Sequence, residues 1–498
     1  MSYSKFRQVL SSRLKEAGPE LIIVSIFTVS RFIFFLKGGS FLAKPLSFAK
    51  QYLDPVLLKT DLLESLLYLH SQPPFFNLFL GTVLKLSPVP ALSYELLFRT
   101  VGILIPLIFY GILVSLGIRR LFALLAAIAF MLNPTLILYE NLLYYTYFEG
   151  FLVLLSIFFL LRWSMGKKFF DLFLFWTSLL CLGMMRSLFH PVFFLFIAVF
   201  LALYLRRAFE RQRLARTFFL SSCVVLIPIL LLCLKNVYFF GFFGTSSWTG
   251  MSLWIKANGY TPDDLEVFHS RGIISSLAVQ AELEPFQPIE NFSDDSKLRN
   301  VPCHHPADCN EVRSTGRPNF NYSGYIYLSK QLLKDSMSLI SYNPPLFAFF
   351  TAGSYCLTLW HSSDSVHALF KENMEIVEKL EKFYRFLYFG FMGVENRHSD
   401  PGIWKRTVVI TIFFLFFYMS TFINLLRKDS LVHPGIKIVC LFCLLIHSYT
   451  VTISSLIEFG ENNRFRFPVD AAFLVLMAGN IVIWKMLISK RFGERGSA

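Results

Sequence analysis

The chain has 498 residues, 55% of them hydrophobic and 16% charged, with 57 Phe and a formal net charge of +14. Soluble domains carry roughly 25% charged residues, so the composition excludes an ordinary water-soluble globular protein. The positive balance does not point to nucleic acid either: Lys and Arg gather at the ends of apolar runs, where they fix orientation in a membrane, and no nucleic-acid motif accompanies them.

Apolar runs long enough to cross a bilayer recur along the chain and predict an all-α polytopic membrane protein. About ten transmembrane helices are expected, over 19–35, 96–117, 121–138, 147–161, 169–185, 188–205, 218–234, 408–426, 438–457 and 469–488. The first run is followed by Lys37-Gly38-Gly39 with no small-residue cleavage site and reads as a retained anchor. With ten spans, Lys5, Arg7, Arg13, Lys15, Arg119-Arg120, Lys167-Lys168, the cluster from Arg206 to Arg216, Arg427-Lys428 and Lys490-Arg491 all share the side of the N-terminus. The apolar run 74–86 is only about 13 residues long and is placed flat at the interface. The chain thus divides into a transmembrane module (1–235) with a first external loop (37–95), a large external region of mixed structure (236–406) and C-terminal transmembrane helices (407–498). Within the external region, 344–357 and 383–392 read as interfacial.

Five of the eight Cys, namely Cys181, Cys223, Cys233, Cys440 and Cys443, lie in or beside apolar runs and read as packing residues. Cys303 and Cys309 sit in the polar segment Cys303-His304-His305-Pro306-Ala307-Asp308-Cys309. A short disulfide loop, implying an oxidising compartment, and a metal site using His304 or His305 are the two readings. No GxGxxG, Walker, HExxH, GxSxG or Asp-x-Asp motif occurs. Catalysis therefore falls to isolated acids and bases at the membrane face.

Those acids start in the first loop with Asp54, Asp61 and Glu64; a helix over 56–70 puts Asp61 and Glu64 on one face, while Asp54 sits where a helix cap belongs. Glu140 and Glu149 flank a Tyr-rich loop after the third span, and Arg186 lies between the fifth and sixth. Acids at that depth usually have a partner or a function. Before the last span comes Glu461-Asn462-Asn463-Arg464-Phe465-Arg466-Phe467-Pro468, whose two arginines run against the orientation bias. They read either as snorkelling anchors or as guanidinium groups holding a phosphate, and Arg31 in the first span carries the same pair of readings.

An acid in the first loop, then His70-Ser71-Gln72-Pro73-Pro74-Phe75-Phe76, then the Glu461–Pro468 segment together resemble the GT-C superfamily of membrane glycosyltransferases, near the protein O-mannosyltransferases and lipid A aminoarabinose transferases. The resemblance implies transfer of a sugar from a polyprenyl-phosphate donor, with inversion, to an acceptor that is a protein, a lipid or a glycan. It implies Asp54 as base, with Asp61 the alternative, and Arg464 and Arg466 on the phosphate. His70 and Gln72 would shape the site, with Glu140 or Glu149 as a second acid and Arg186 and Glu461 contacting substrate. It implies no cofactor and no metal, a membrane lipid environment, and a bacterial inner membrane with the site facing the periplasm. The sequence departs from the family pattern where Asp54 is followed by Pro55 and where Phe465 replaces a Tyr. A transporter or lipid flippase, or a scaffold, would also carry many spans, but neither paired half-repeats nor matching broken helices are legible.

Overall fold

Proline and glycine decide where the helices of this chain begin and end. The computed structural model describes residues 18–209, 212–292, 296–362, 372–389, 403–427 and 432–495. The first half carries α1 (Gly18–Leu36), α2 (Pro55–Thr60), α3 (Leu62–Leu67), α4 (Phe75–Leu86), α5 (Pro90–Leu116), α6 (Arg120–Met131), α7 (Pro134–Glu140), α8 (Tyr145–Gly166), α9 (Phe169–Gly183), α10 (Pro191–Phe209), α11 (Gln212–Ser221) and α12 (Cys223–Phe240). The second half carries α13 (Thr249–Ala257), α14 (Gly324–Tyr342), α15 (Pro344–Thr358), α16 (Met374–Phe389), α17 (Ile403–Leu426), α18 (Pro434–Ile457) and α19 (Asn462–Arg495), with short turns of helix between. Proline opens α2, α5, α7, α15 and α18, a position where its missing N–H costs nothing. Among the described residues there is no strand beyond two isolated bridges, and the protein is an all-α, multi-pass membrane protein.

Among the described residues, eight helices are long and apolar enough to cross a bilayer: α1, α5, α8, α10, α11 with α12, α17, α18 and α19. Two of the ten expected spans differ. The run 121–138 is broken into α6 and α7, bent by 57°. Asn133 and Pro134 cause the break: Pro134 starts a new helix and the Asn133 side chain caps it by accepting from Thr135 N at 2.9 Å. The run 169–185 yields only the 15 residues of α9, about 22 Å of helix against a hydrocarbon core of about 30 Å. The run 74–86 is the short helix α4, as its length requires. The basic residues Lys5, Arg7, Arg13, Lys15 and Lys428, and the end of the interfacial segment 383–392, lie outside the described residues.

At the far end of α7, Glu140 is fully buried and bonded by two arginines. Arg31 of α1 reaches it at 2.6 Å and Arg99 of α5 at 2.5 Å. A Cβ on Gly102 would lie 3.0 Å from the same carboxylate, so glycine leaves the room the cluster occupies. Glu140 and Arg31 therefore tie α1, α5 and α7 together.

The polar regions fold into one layer over the bundle. Residues 244–340 have a core of their own around Trp248, Met251, Trp254, Tyr325 and Leu332. It depends on a close crossing of α13 and α14, where a Cβ on Gly250 would meet the Ser329 carbonyl oxygen at 1.8 Å. Cys303 and Cys309 form a disulfide, with Cα atoms 5.2 Å apart, which selects between the two sequence readings of these thiols. The first loop is sewn to this layer: Asn321 Oδ1 accepts from His70 N and Ser71 N at 2.9 and 3.0 Å, and Arg313 Nη1 donates to the carbonyls of Ala49 and Tyr52. The segment 344–357, expected at the interface, is the helix α15 packed on α18 through Thr358 and Ser455.

Candidate functional site

A cavity of about 950 Å³ opens between this layer and the ends of the helices. Its walls come from several separate parts of the chain, among them Lys50, Gln51 and Gln72 of the first loop, Tyr144, Tyr145 and Arg186 near helix ends, the turn from Thr245 to Trp248, and Glu458, Glu461, Arg464 and Phe465. The turn is held against the first loop. Ser247 N donates to His70 O at 2.9 Å, Ser246 Oγ donates to Ser71 O at 2.5 Å, and His70 Nδ1 shares a 2.9 Å bond with Ser247 Oγ. These bonds present Gln72 to the cavity. His70 itself is buried, and desolvation, helped by Lys235, pushes its imidazole down to about 3, so it is neutral and structural.

Two buried arginines face the cavity. Arg186 Nη1 is bound to Glu149 at 2.7 Å, with Glu149 fully buried behind it. Arg464 Nη1 contacts Glu461 at 2.7 Å and donates to Tyr144 OH at 2.8 Å. Among the described residues, Arg186 Nη2 and Arg464 Nε have no hydrogen-bond partner. A buried N–H left without a partner costs free energy, and both arginines line the cavity, where their charge favours an anion. Glu458 closes α18, and its carbonyl accepts from Ser354 Oγ at 3.0 Å and Asn462 Nδ2 at 2.9 Å. Burial pushes its carboxyl up to about 7; Arg464 and Arg186 pull it down and Glu461 pushes it up. The same cavity is lined by Leu188, Val192, Phe243, Ile453 and Ile457, apolar side chains at the ends of α10, α12 and α18. Val192 and Phe243 are 66% and 58% exposed, so this wall opens to the outside of the protein through apolar side chains.

The sequence grouping thus divides. Gln72, Arg186, Glu461 and Arg464 line one cavity, with Glu149 behind Arg186. Asp54, Asp61, Glu140 and Arg466 are not among its lining residues. Asp54 caps α2 by accepting from Val56 N at 2.8 Å, and it also accepts from Ser314 N and Ser314 Oγ at 2.5 and 2.6 Å. Its oxygens are occupied by three donors, and the capping reading fits it. Arg466 is bonded to Asp470, Thr358 O and Ser362. The reason is helical: the motif expected before the span forms the first turns of α19, and residues two apart on a helix point to different sides.

Asp61, Glu64 and His305 come together, with ligand atoms within 4.8 Å of one another. His305 Nδ1 accepts from Ala307 N at 3.1 Å, which puts the proton of the neutral ring on Nε2, where it donates to Asp61 at 2.8 Å. That tautomer offers no lone pair to a cation, and the cluster is a hydrogen-bonded strut between the first loop and the disulfide loop. Sequence reasoning missed Glu458 and the Thr245–Trp248 turn; the one signal for Glu458 was an acid directly at the end of an apolar run. No protein-family model matches the chain, and neither does any curated protein or solved structure.

Proposed function

We propose that this protein is an inverting membrane glycosyltransferase that moves a sugar from a polyprenyl-phosphate donor to an acceptor hydroxyl. The observation that carries the reading is one cavity combining two buried arginines with unpartnered N–H groups, a carboxyl titrating near neutrality and an apolar wall at the helix ends. Such a cavity suits a ligand with an anionic head and a hydrocarbon tail. Arg186 and Arg464 would hold the phosphate, and their charge would stabilise it as it leaves. Glu458, ionised, would take the proton of the acceptor hydroxyl as its oxygen attacks the anomeric carbon and the bond from that carbon to the phosphate oxygen breaks. The products are the glycosylated acceptor and the lipid monophosphate. The role of base passes to Glu458 because Asp54 and Asp61, implied by resemblance, lie outside the cavity. The disulfide in the layer favours an oxidising compartment, which agrees with a bacterial inner membrane and a site facing the periplasm.

The test is release of sugar to water from radiolabelled polyprenyl-phosphate sugars by the purified protein in nanodiscs. Turnover by the wild type, lost in Glu458→Gln with donor binding retained, supports the transferase. Donor bound by the wild type but never hydrolysed, with flux across proteoliposomes, would replace it with a lipid transporter using the same cavity.

A further inference from the structure

Five side chains of the cavity wall form a closed ring in which aromatic and guanidinium groups meet. Tyr144 and Tyr145 stack at 4.7 Å between centroids. Arg186 Cζ lies 5.5 Å from the Tyr145 ring and 3.7 Å from the Phe465 ring. Arg464 Cζ lies 5.6 Å from the same Phe465 ring and 5.3 Å from Tyr144, which closes the circuit. All five line the cavity, and Phe465 is half-buried.

We propose that Phe465 is the positioning residue of a lipid-monophosphate site, holding Arg186 and Arg464 against one ring so that the two guanidinium groups serve one anion. The inference rests on the anion-binding half of the function proposed above. Two guanidinium groups beside one cavity repel each other, and each sits on a long side chain with many rotamers. The negative π-face of an aromatic ring attracts both. It also covers their faces, which leaves the N–H edges as the route for a ligand. Glu149 and Glu461 take one nitrogen from each arginine. Each guanidinium keeps two further nitrogens, Arg186 Nη2 and Arg464 Nε among them without a partner, and they belong to two different arginines. A phosphate with several acceptor oxygens can use both; a leucine at 465 could fill the volume but would not hold the two cations in place.

The probe is farnesyl phosphate, titrated into the full-length protein in nanodiscs, with farnesol and inorganic phosphate as separate arms. Phe465→Leu is expected to weaken farnesyl phosphate by about tenfold, with farnesol binding and melting temperature unchanged, and Phe465→Tyr is expected to bind as the wild type does. If Phe465→Leu melts early, Phe465→Met takes its place with the same expectation. Wild-type affinity in the folded Leu or Met variant, or no recovery in Phe465→Tyr, overturns the role of Phe465 alone. A wild type that binds farnesol as tightly as farnesyl phosphate overturns the anion site itself. Inorganic phosphate binding that weakens in parallel supports positioning of the arginines, whereas inorganic phosphate unaffected by the loss of the ring overturns it.

Discussion

Replacing Glu461 by Gln moves the pH profile of turnover, and the charges around Glu458 fix the direction. In the wild type Glu458 titrates at about 7 because burial disfavours its charged form. If the ionised form is the base, about one tenth of the protein is competent at pH 6 and about nine tenths at pH 8, and the rate rises roughly tenfold between them. Glu461 pushes the Glu458 carboxyl up and, through its 2.7 Å contact, also neutralises Arg464, which pulls it down. Gln removes the first effect and strengthens the second, so both changes act in one direction. The loss of one nearby like charge in a partly buried site is worth on the order of 1 kcal/mol, about one pK unit. The midpoint is therefore expected near pH 6, and the rate at pH 6 climbs from about one tenth to about one half of the plateau. The assay is sugar release from saturating donor between pH 5.5 and 8.5 at constant ionic strength, in roughly half-unit steps. A midpoint that stays at 7 or moves upward, or a wild-type profile that is flat, refutes the assignment of Glu458 whatever happens to the plateau.

Asp54→Ala removes the cap of α2 and the two bonds from Ser314. It should lose about 1–2 kcal/mol of stability, read as an earlier melt, while turnover per folded molecule stays near wild type; turnover abolished in stably folded protein would restore Asp54 as the base. Gly250→Ala places a Cβ 1.8 Å from the Ser329 carbonyl and should collapse the yield of folded protein, whereas Gly353→Ala, with nothing within 4 Å, should not; equal yields would sink the close-crossing argument. Reducing Cys303–Cys309, which closes a short loop, should cost about 2 kcal/mol, visible as a lower melting temperature with dithiothreitol that a Cys303→Ser/Cys309→Ser variant lacks. Lys256 is buried, its ammonium bonded to Phe350 O at 2.7 Å and to Ser354 Oγ, and burial lowers it from 10.5 to about 7. The unfolded chain then binds more protons than the fold between those values, so stability rises as pH goes from about 7 to about 10. Lys256→Met should flatten that slope in a pH series of thermal melts.

Much of this protein was legible one residue at a time. The bilayer has a fixed thickness and no water to satisfy a backbone, so apolar run length alone identified the membrane class and most of the spans. The same argument kept 74–86 from counting as a span, and cysteine placement in a polar segment anticipated the disulfide. The two differing spans show where run length fails. The pair Asn133-Pro134 is compatible with an unbroken hydropathy trace, yet its backbone chemistry starts a second helix. The run 169–185 is apolar throughout but yields a helix of 15 residues.

The site belongs to tertiary structure. Asp54, Asp61, Arg464 and Arg466 carry the same charge in the sequence whether or not something else in the fold consumes it. Only the packing of 305–321 onto the first loop, through His305, Arg313, Ser314 and Asn321, engages Asp54 and Asp61 in bonds to that layer. Only the start of α19 at Asn462, at the head of the motif rather than after it, turns Arg464 toward Tyr144 and Arg466 toward Asp470. Charge and hydropathy are properties of a residue and can be read from the sequence. Whether an N–H or a carboxylate remains open for a substrate depends on every neighbour it meets, and those neighbours here lie up to 320 positions away.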